Sequence, residues 1–352
     1  MGTTDVTIDN DVLSMIGINA AEEARDLKTI VTPLLSEMER VHGKGQPFKS
    51  VGGKWNGSFQ TKDHSQGTAR RTGFEQLNLT VQSTRSTMLL NAAEVSYPIL
   101  VSATEQDETG GADGTYELGA DRAASTMGFA KRSLEKHLLI GGMAGFDDFL
   151  TLNGVDYSDG LLEGSGPGTQ SNNIGGFSKA TWSSLPGANN QVFDIGGSFN
   201  SAGLAGLYRV INRTKNRATD ELSGLCAILS ENMFENYKRS VQAQERYVMV
   251  DNKDTVDALN MGLMINGMKA MPSTYLGSSP VGGANVISGM VIDLKAIYFC
   301  WSKIVRDGFL NMSEFKDIGN GYNIKGAELL IRGQLWPKSW GSSGILLNGE
   351  QF

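Results

Sequence analysis

Between Gly43 and Gly73 the chain carries seven glycines (Gly43, Gly45, Gly52, Gly53, Gly57, Gly67, Gly73) and six basic residues (Lys44, Lys49, Lys54, Lys62, Arg70, Arg71). Such a stretch has too little apolar surface to bury itself. Alternation follows it, first at Leu77, Leu79 and Val81, then at Val95, Tyr97, Ile99, Val101 and Ala103. Period-two alternation marks half-buried strands. The pattern predicts a long hairpin-like excursion, out over residues 45–82 and back by 103. A long isolated hairpin is marginal in water. Its presence therefore predicts a partner, most simply another copy of the chain.

Helical periodicity brackets this excursion. Before it, Leu27, Val31, Leu34, Met38 and Val41 form an apolar stripe over Asn19–Val41. Asn19 and Glu22 have the spacing of a capping box, and Pro33 is expected to kink or break the helix. Two readings of this helix stay open: an ordinary packed surface helix, or an arm lying under a neighbouring subunit. After the excursion, Tyr116, Ala120, Ala123, Met127, Ala130, Leu134 and Leu138 predict one helix over 116–140, stopped by Gly141-Gly142. At about 1.5 Å per residue it spans roughly 37 Å, enough to cross a flat subunit.

Residues 156–191 read as loop. A helix is expected over 202–218, a buried strand over 225–229 and a helix over 231–244. One or two short strands are expected within 261–270. The last strands are expected over Val291–Ser302 and Tyr322–Trp336.

With 352 residues the chain suits about two domains. No apolar run reaches the roughly 18 residues of a membrane span, and the polar N-terminus lacks the basic and apolar regions of a signal peptide. The net charge of −7 argues against binding that condenses nucleic acid by neutralising phosphates. It is compatible with a container wall to which a genome does not stick. Cys226 and Cys300 sit in apolar surroundings and are expected to be buried thiols.

No catalytic constellation is visible. His42, His64 and His137 lack partners at metal spacing, and there is no HExxH or CxxC. His42 and His64 are expected to be solvated; His137 stands at a helix C-terminus, where a cation is favoured. Gly164–Gly168 lacks the Lys-Ser/Thr of a phosphate loop, and Asp251–Asp254 lacks the Gly and Glu of a calcium loop. Neither an enzyme nor a cofactor is expected.

Read in order, these parts resemble the major capsid protein of tailed bacteriophages, the Hong Kong 97-type fold. Residues 45–103 occupy the place of that family's extended loop. Helix 115–140, ending Leu138-Leu139-Ile140-Gly141-Gly142, is similar to its spine helix and Gly-rich exit. Ile174-Gly175-Gly176-Phe177 through Thr181-Trp182 resembles a segment of one subgroup. Leu207-Tyr208 with Ile211, then Ala227-Ile228-Leu229-Ser230 through Tyr237, resembles the helix–strand–helix of its axial domain. Gly262 through Ala270 and on to Pro272 resembles a short looped element of that domain.

The resemblance implies an α+β chain of four parts. These are an N-terminal arm with its helix (1–44), an extended β-hairpin loop with flanking strands (45–103), a peripheral domain (104–142 and 299–352) and an axial domain (143–298). It implies pentamers and hexamers closing an icosahedral shell around double-stranded DNA, without sequence-specific binding and without a membrane. A portal protein at one vertex is implied, as is room for a separate scaffolding protein and a decoration protein. The chain begins at Met1 with about 20 residues before its first helix, which implies scaffolding from a separate protein or none. Assembly is expected in the host cytoplasm, the product being a virion.

The inter-subunit contact candidates are Lys62, Arg70, Arg71, Leu27, Val31 and Leu34. The hinge candidates are Gly52, Gly53, Gly141 and Gly142. A Lys–Asn crosslink is not expected, although Lys54 and Lys62 lie in the loop and Asn348 near the C-terminus. Two alternatives are an encapsulin-type compartment and a β-rich adhesin or fibre.

Overall fold

The computed structural model describes residues 32–42, 46–47, 50–51, 54–60, 85–102, 104–105, 118–140, 191–196, 198–216, 224–242, 263–265, 267–277, 280–281, 285–301, 310–317, 324–337 and 343–352. The first helix, α1, is Pro33–His42. Its opening residue is the proline expected to interrupt a longer helix, placed where a missing N–H costs nothing. Leu34, Leu35 and Met38 are buried, and Arg40 and His42 fill the last turn, where cations are favoured. The expected helical stretch before Pro33 lies outside the described residues.

Two short strands follow, β1 (Gln46–Pro47) and β2 (Ser50–Val51). The excursion appears as β3 (Lys54–Gln60) and β4 (Arg85–Asn91), antiparallel and in register from Lys54↔Asn91 to Gln60↔Arg85. β2 completes this three-stranded sheet. The expected strand over 77–81 lies outside the described residues.

The return leg ends earlier than expected. β5 (Ala93–Ser102), read as the hairpin's way back, leaves the hairpin and pairs over ten residues with β15 (Ile324–Pro337), from Ala93↔Gly333 to Ser102↔Ile324. The reason is its inner face: Ala93, Ile99 and Val101 are buried against the body. A free hairpin gives such side chains no burial.

The long helix α2 is Leu118–Ile140, about 34 Å at 1.5 Å per residue. Ala123, Ala130, Leu134 and Leu138 form its buried stripe, as the periodicity requires. It lies on the sheet built around β15. That sheet has six strands: β1, β5, β15, β12 (Ile297–Trp301), β13 (Leu310–Met312) and β14 (Lys316–Asp317).

A seven-stranded sheet forms the second layer, in the order β6 (Gln191–Asp194), β16 (Ser343–Leu347), β11 (Asn285–Asp293), β7 (Leu225–Ser230), β9 (Met268–Ser273), β8 (Leu263–Ile265). β10 (Pro280–Val281) is paired on β11. β8 and β9 form a hairpin whose turn needs Gly267 at φ +81°. Two helices cover one face of this sheet: α3 (Leu204–Lys215), entered through a π-helical turn at Phe199–Gly203, and α4 (Glu231–Gln242).

Every residue of β7 is buried because both of its faces are covered. Leu225, Ala227 and Leu229 meet α3 and α4, while Cys226 and Ile228 meet the core shared with α1 and α2. A strand buried on both sides reads as a continuous apolar run, which is why Leu-Cys-Ala-Ile-Leu was legible.

Two expectations about the end of the chain are corrected. Val291–Ser302 is not one strand: β11 ends at Asp293, a 3-10 turn spans Leu294–Ala296, and β12 continues in the other sheet. Asp293 makes the break by accepting the Lys295 N–H at 3.0 Å. The closing strand β16 does not return to the α2 sheet. It lies between β6 and β11 with all five residues buried.

Both cysteines are buried, and burial pushes each thiol up to about 12. Neither is a thiolate at neutral pH, so neither reacts. Native protein at pH 8 is expected to leave both unlabelled by iodoacetamide, with both labelled after denaturation. Rapid labelling of either in the native state would contradict the packing described.

Candidate assembly surfaces

The hairpin is pinned at its base. Gly57 of β3 lies against the Trp336 indole so closely that a Cβ there would sit 2.1 Å from Cζ2. Beside it, the Gln334 side-chain amide donates to the Asn91 carbonyl at 2.8 Å. Trp336 is 7% exposed because the hairpin covers it. On β4, Leu90 is buried while Leu89, one residue earlier, is 46% exposed. The hairpin therefore has an inner face that packs and an outer one that presents an apolar side chain.

Other large apolar side chains are exposed on the body. Phe129 of α2 is 54% exposed and meets Tyr97 of β5 edge-to-face, centroids 5.9 Å apart. Leu100 is 51% exposed, and its carbonyl accepts from Arg122, which also pairs with Glu105 at 3.2 Å. By the alternation of β5, Leu100 lies on the face opposite Tyr97 and Phe129, so the two exposed side chains mark different faces.

The joint beneath α1 is polar where a core is expected. Glu37 is buried and paired with Arg40 (Nε to Oε1, 2.8 Å) and with Lys269 of β9 (2.9 Å). Burial alone would raise its carboxyl, but the hydrogen bonds and charges of Arg40 and Lys269 outweigh this and hold it below the usual range. Glu135 of α2 is fully buried and accepts the Leu34 and Leu35 N–H groups at 3.4 and 3.2 Å. Burial pushes it to about 7, only partly offset by those two donors. Lys131–Glu39 at 3.4 Å is exposed and weak. His42, expected to be solvated, is half-buried with Nε2 against the Leu294 carbonyl.

The C-terminal tail is fastened to the seven-stranded sheet and its helices. Gln351 accepts the Phe199 N–H at 2.6 Å, Asn236 donates to the Glu350 carbonyl at 3.1 Å, and Glu350 accepts the Ser230 hydroxyl at 2.6 Å. Asn348, at φ +56°, donates to Asp194 and accepts the Val286 N–H. Both ends of its amide are thus engaged within one subunit.

Of the contact candidates, Leu34 is fully buried in its own subunit against α2. Leu27, Val31, Lys62, Arg70 and Arg71 lie outside the described residues, as do the hinge candidates Gly52, Gly53, Gly141 and Gly142. Sequence reasoning missed Gly57, Trp336, Glu37, Lys269 and Glu135, all defined by partners distant in the chain. Among the described residues no His, Cys, Asp or Glu cluster could hold a metal ion, and no helix is long and apolar enough to cross a membrane.

No protein-family model and no curated relative matches the chain. Solved structures do. The capsid asymmetric unit of cyanophage A-1(L) is similar at a TM-score of 0.62 and 15% identity, covering 94% of this chain and 95% of that one. The capsid of the native GTA particle is similar at 0.59 and 11%, covering 94% and 98%. The holo-SrpI encapsulin complex from Synechococcus elongatus PCC 7942 is similar at 0.54 and 10%, covering 96% and 95%. The two large sheets, the long helix lying on one of them and the three-stranded sheet of β2, β3 and β4 together make this chain an example of the α+β fold of phage-capsid subunits expected from its sequence.

Proposed function

We propose that the chain is the major capsid protein of a tailed bacteriophage, assembling as pentamers and hexamers into an icosahedral shell around double-stranded DNA. The observation that carries this reading is the match to capsid subunits over more than nine-tenths of both chains. The paired strands β3 and β4, anchored at Gly57 on Trp336 with Leu89 outward, support it, because such an element gains stability from a neighbour. The role is structural rather than catalytic. A portal protein at one vertex, a separate scaffolding protein and a decoration protein complete the proposed set of partners. Assembly in the host cytoplasm and residence in the virion belong to the same proposal.

Cryo-electron microscopy of particles purified from infected cells tests the proposal. Shells built of this chain and filled with DNA are expected; particles lacking the chain would refute it. The same maps test the contacts proposed for Lys62, Arg70, Arg71, Leu27 and Val31, which must then lie at subunit boundaries. The likeness to an encapsulin over 96% of the chain favours one second reading, a compartment enclosing protein. Shells that co-purify with an enzyme and no DNA would select it.

A further inference from the structure

β5 bounds the six-stranded sheet. All ten of its residues pair with β15, and among the described residues no strand pairs with its other edge. In an antiparallel ladder, residues that exchange both backbone bonds with the residue opposite alternate with residues that turn both groups away. The phase of β5 is fixed by its neighbours. Glu328 of β15 stands opposite Pro98. Both backbone groups of Glu328 are engaged on the β13 side: its carbonyl accepts the Ser313 N–H at 2.9 Å, and its N–H donates to the Ser313 hydroxyl at 2.8 Å. Further along β5, Arg122 donates to the Leu100 carbonyl at 2.8 Å, and the Ser102 N–H donates to the Glu105 carboxylate at 3.1 Å. Glu94, Ser96, Pro98, Leu100 and Ser102 therefore turn their backbone groups to the free edge.

An unpaired edge is a template for another strand. The segment Val95–Val101 has the composition that pairs, with Val95, Tyr97, Ile99, Leu100 and Val101 and no charge. Three features interrupt it. Pro98 stands in the outward phase, where its missing N–H removes no bond to β15 and leaves an incoming strand without a donor. Arg122 of α2 occupies the Leu100 carbonyl and is itself paired with Glu105 at 3.2 Å. Glu105 in turn occupies the Ser102 N–H.

We infer that Pro98 and the Arg122–Glu105 pair block the free edge of β5 against strand addition, and that the strand they exclude is β5 of a second copy. Two copies of this edge related by a two-fold axis meet antiparallel and in the same phase. Centred on Pro98, they would set Ser96 opposite Leu100 and Glu94 opposite Ser102. The block leaves association to other surfaces of the subunit. It concerns a single subunit and stands whether or not the chain builds a shell.

Pro98→Thr combined with Arg122→Ala restores the donor and frees the carbonyl. The full-length double variant is expected to self-associate at a concentration about tenfold or more below that of the wild type, read by light scattering. An infrared band of intermolecular sheet is expected with it, which tells strand addition from other assembly. Ser96→Pro, added to the double variant, removes a donor in the same outward phase and is expected to reverse the association. Association no stronger than in the wild type, or none of it reversed by Ser96→Pro, would overturn the inference. If the double variant does not fold, two single substitutions in the wild type decide. Ser96→Pro is expected to leave the urea midpoint nearly unchanged, whereas Tyr97→Pro removes a bond to β15 and is expected to abolish folding. Equal losses in both would show that β5 has no free edge and would overturn the inference.

Discussion

Gly57→Val is expected to leave the subunit folded while displacing the hairpin and lowering the yield of closed shells by about tenfold or more. The new side chain must occupy the space of the Trp336 ring, where even a Cβ would stand 2.1 Å from Cζ2. That ring is buried, so it has no solvent to swing into. Overpacking of this kind costs about 1–3 kcal/mol, and about 1.4 kcal/mol is a factor of ten in an equilibrium. In a shell the displacement recurs in every copy, and weak contacts that depend on geometry fail together. Normal shells from the variant, with unchanged Trp fluorescence, would show that the hairpin is not held at this point.

The largest loss of stability is expected from Phe199→Ala. Phe199 is fully buried in the π-helical turn before α3, and its N–H donates to Gln351 of the tail. Removing a buried Phe side chain costs about 3–5 kcal/mol, read as a lower urea midpoint of the dissociated subunit. A second substitution sharpens the test. A Cβ on Gly203 would stand 2.2 Å from Phe199 Cδ2, so Gly203→Ala is expected to destabilise the wild type. With Phe199 already alanine the clash is gone, and the same change is expected to be neutral or to stabilise by up to about 1 kcal/mol through helix propensity. The same sign in both backgrounds would mean that the ring does not dictate the glycine.

What could be read from the sequence was what depends on neighbours in the chain. The stripe Ala123, Ala130, Leu134, Leu138 specifies α2 because helical spacing is local. The run Leu225–Leu229 announced a strand because both faces of β7 are covered. The crossing at Leu294–Ala296 was hidden, since Leu294 and Ala296 are as apolar as the strands on either side and only Asp293 and Lys295 mark the break. The destinations of β5 and β16 were hidden because pairing is a tertiary choice. The excursion was legible in outline, as a departure near residue 45 and a return by 103. Its anchor was not, since nothing near Gly57 names Trp336. Glu135 was invisible for a similar reason. Four residues after Lys131 it reads as half of a solvated helical pair, while its partners, the Leu34 and Leu35 N–H groups, lie about a hundred positions away.

The central claim, that this chain builds shells, is tested most directly by cryo-electron microscopy of the purified full-length protein, expressed alone and together with the genes that neighbour its own. The account predicts closed particles of pentamers and hexamers, each subunit holding the Gly57–Trp336 contact while Leu89 meets an adjacent copy. Small soluble species under both conditions would contradict it.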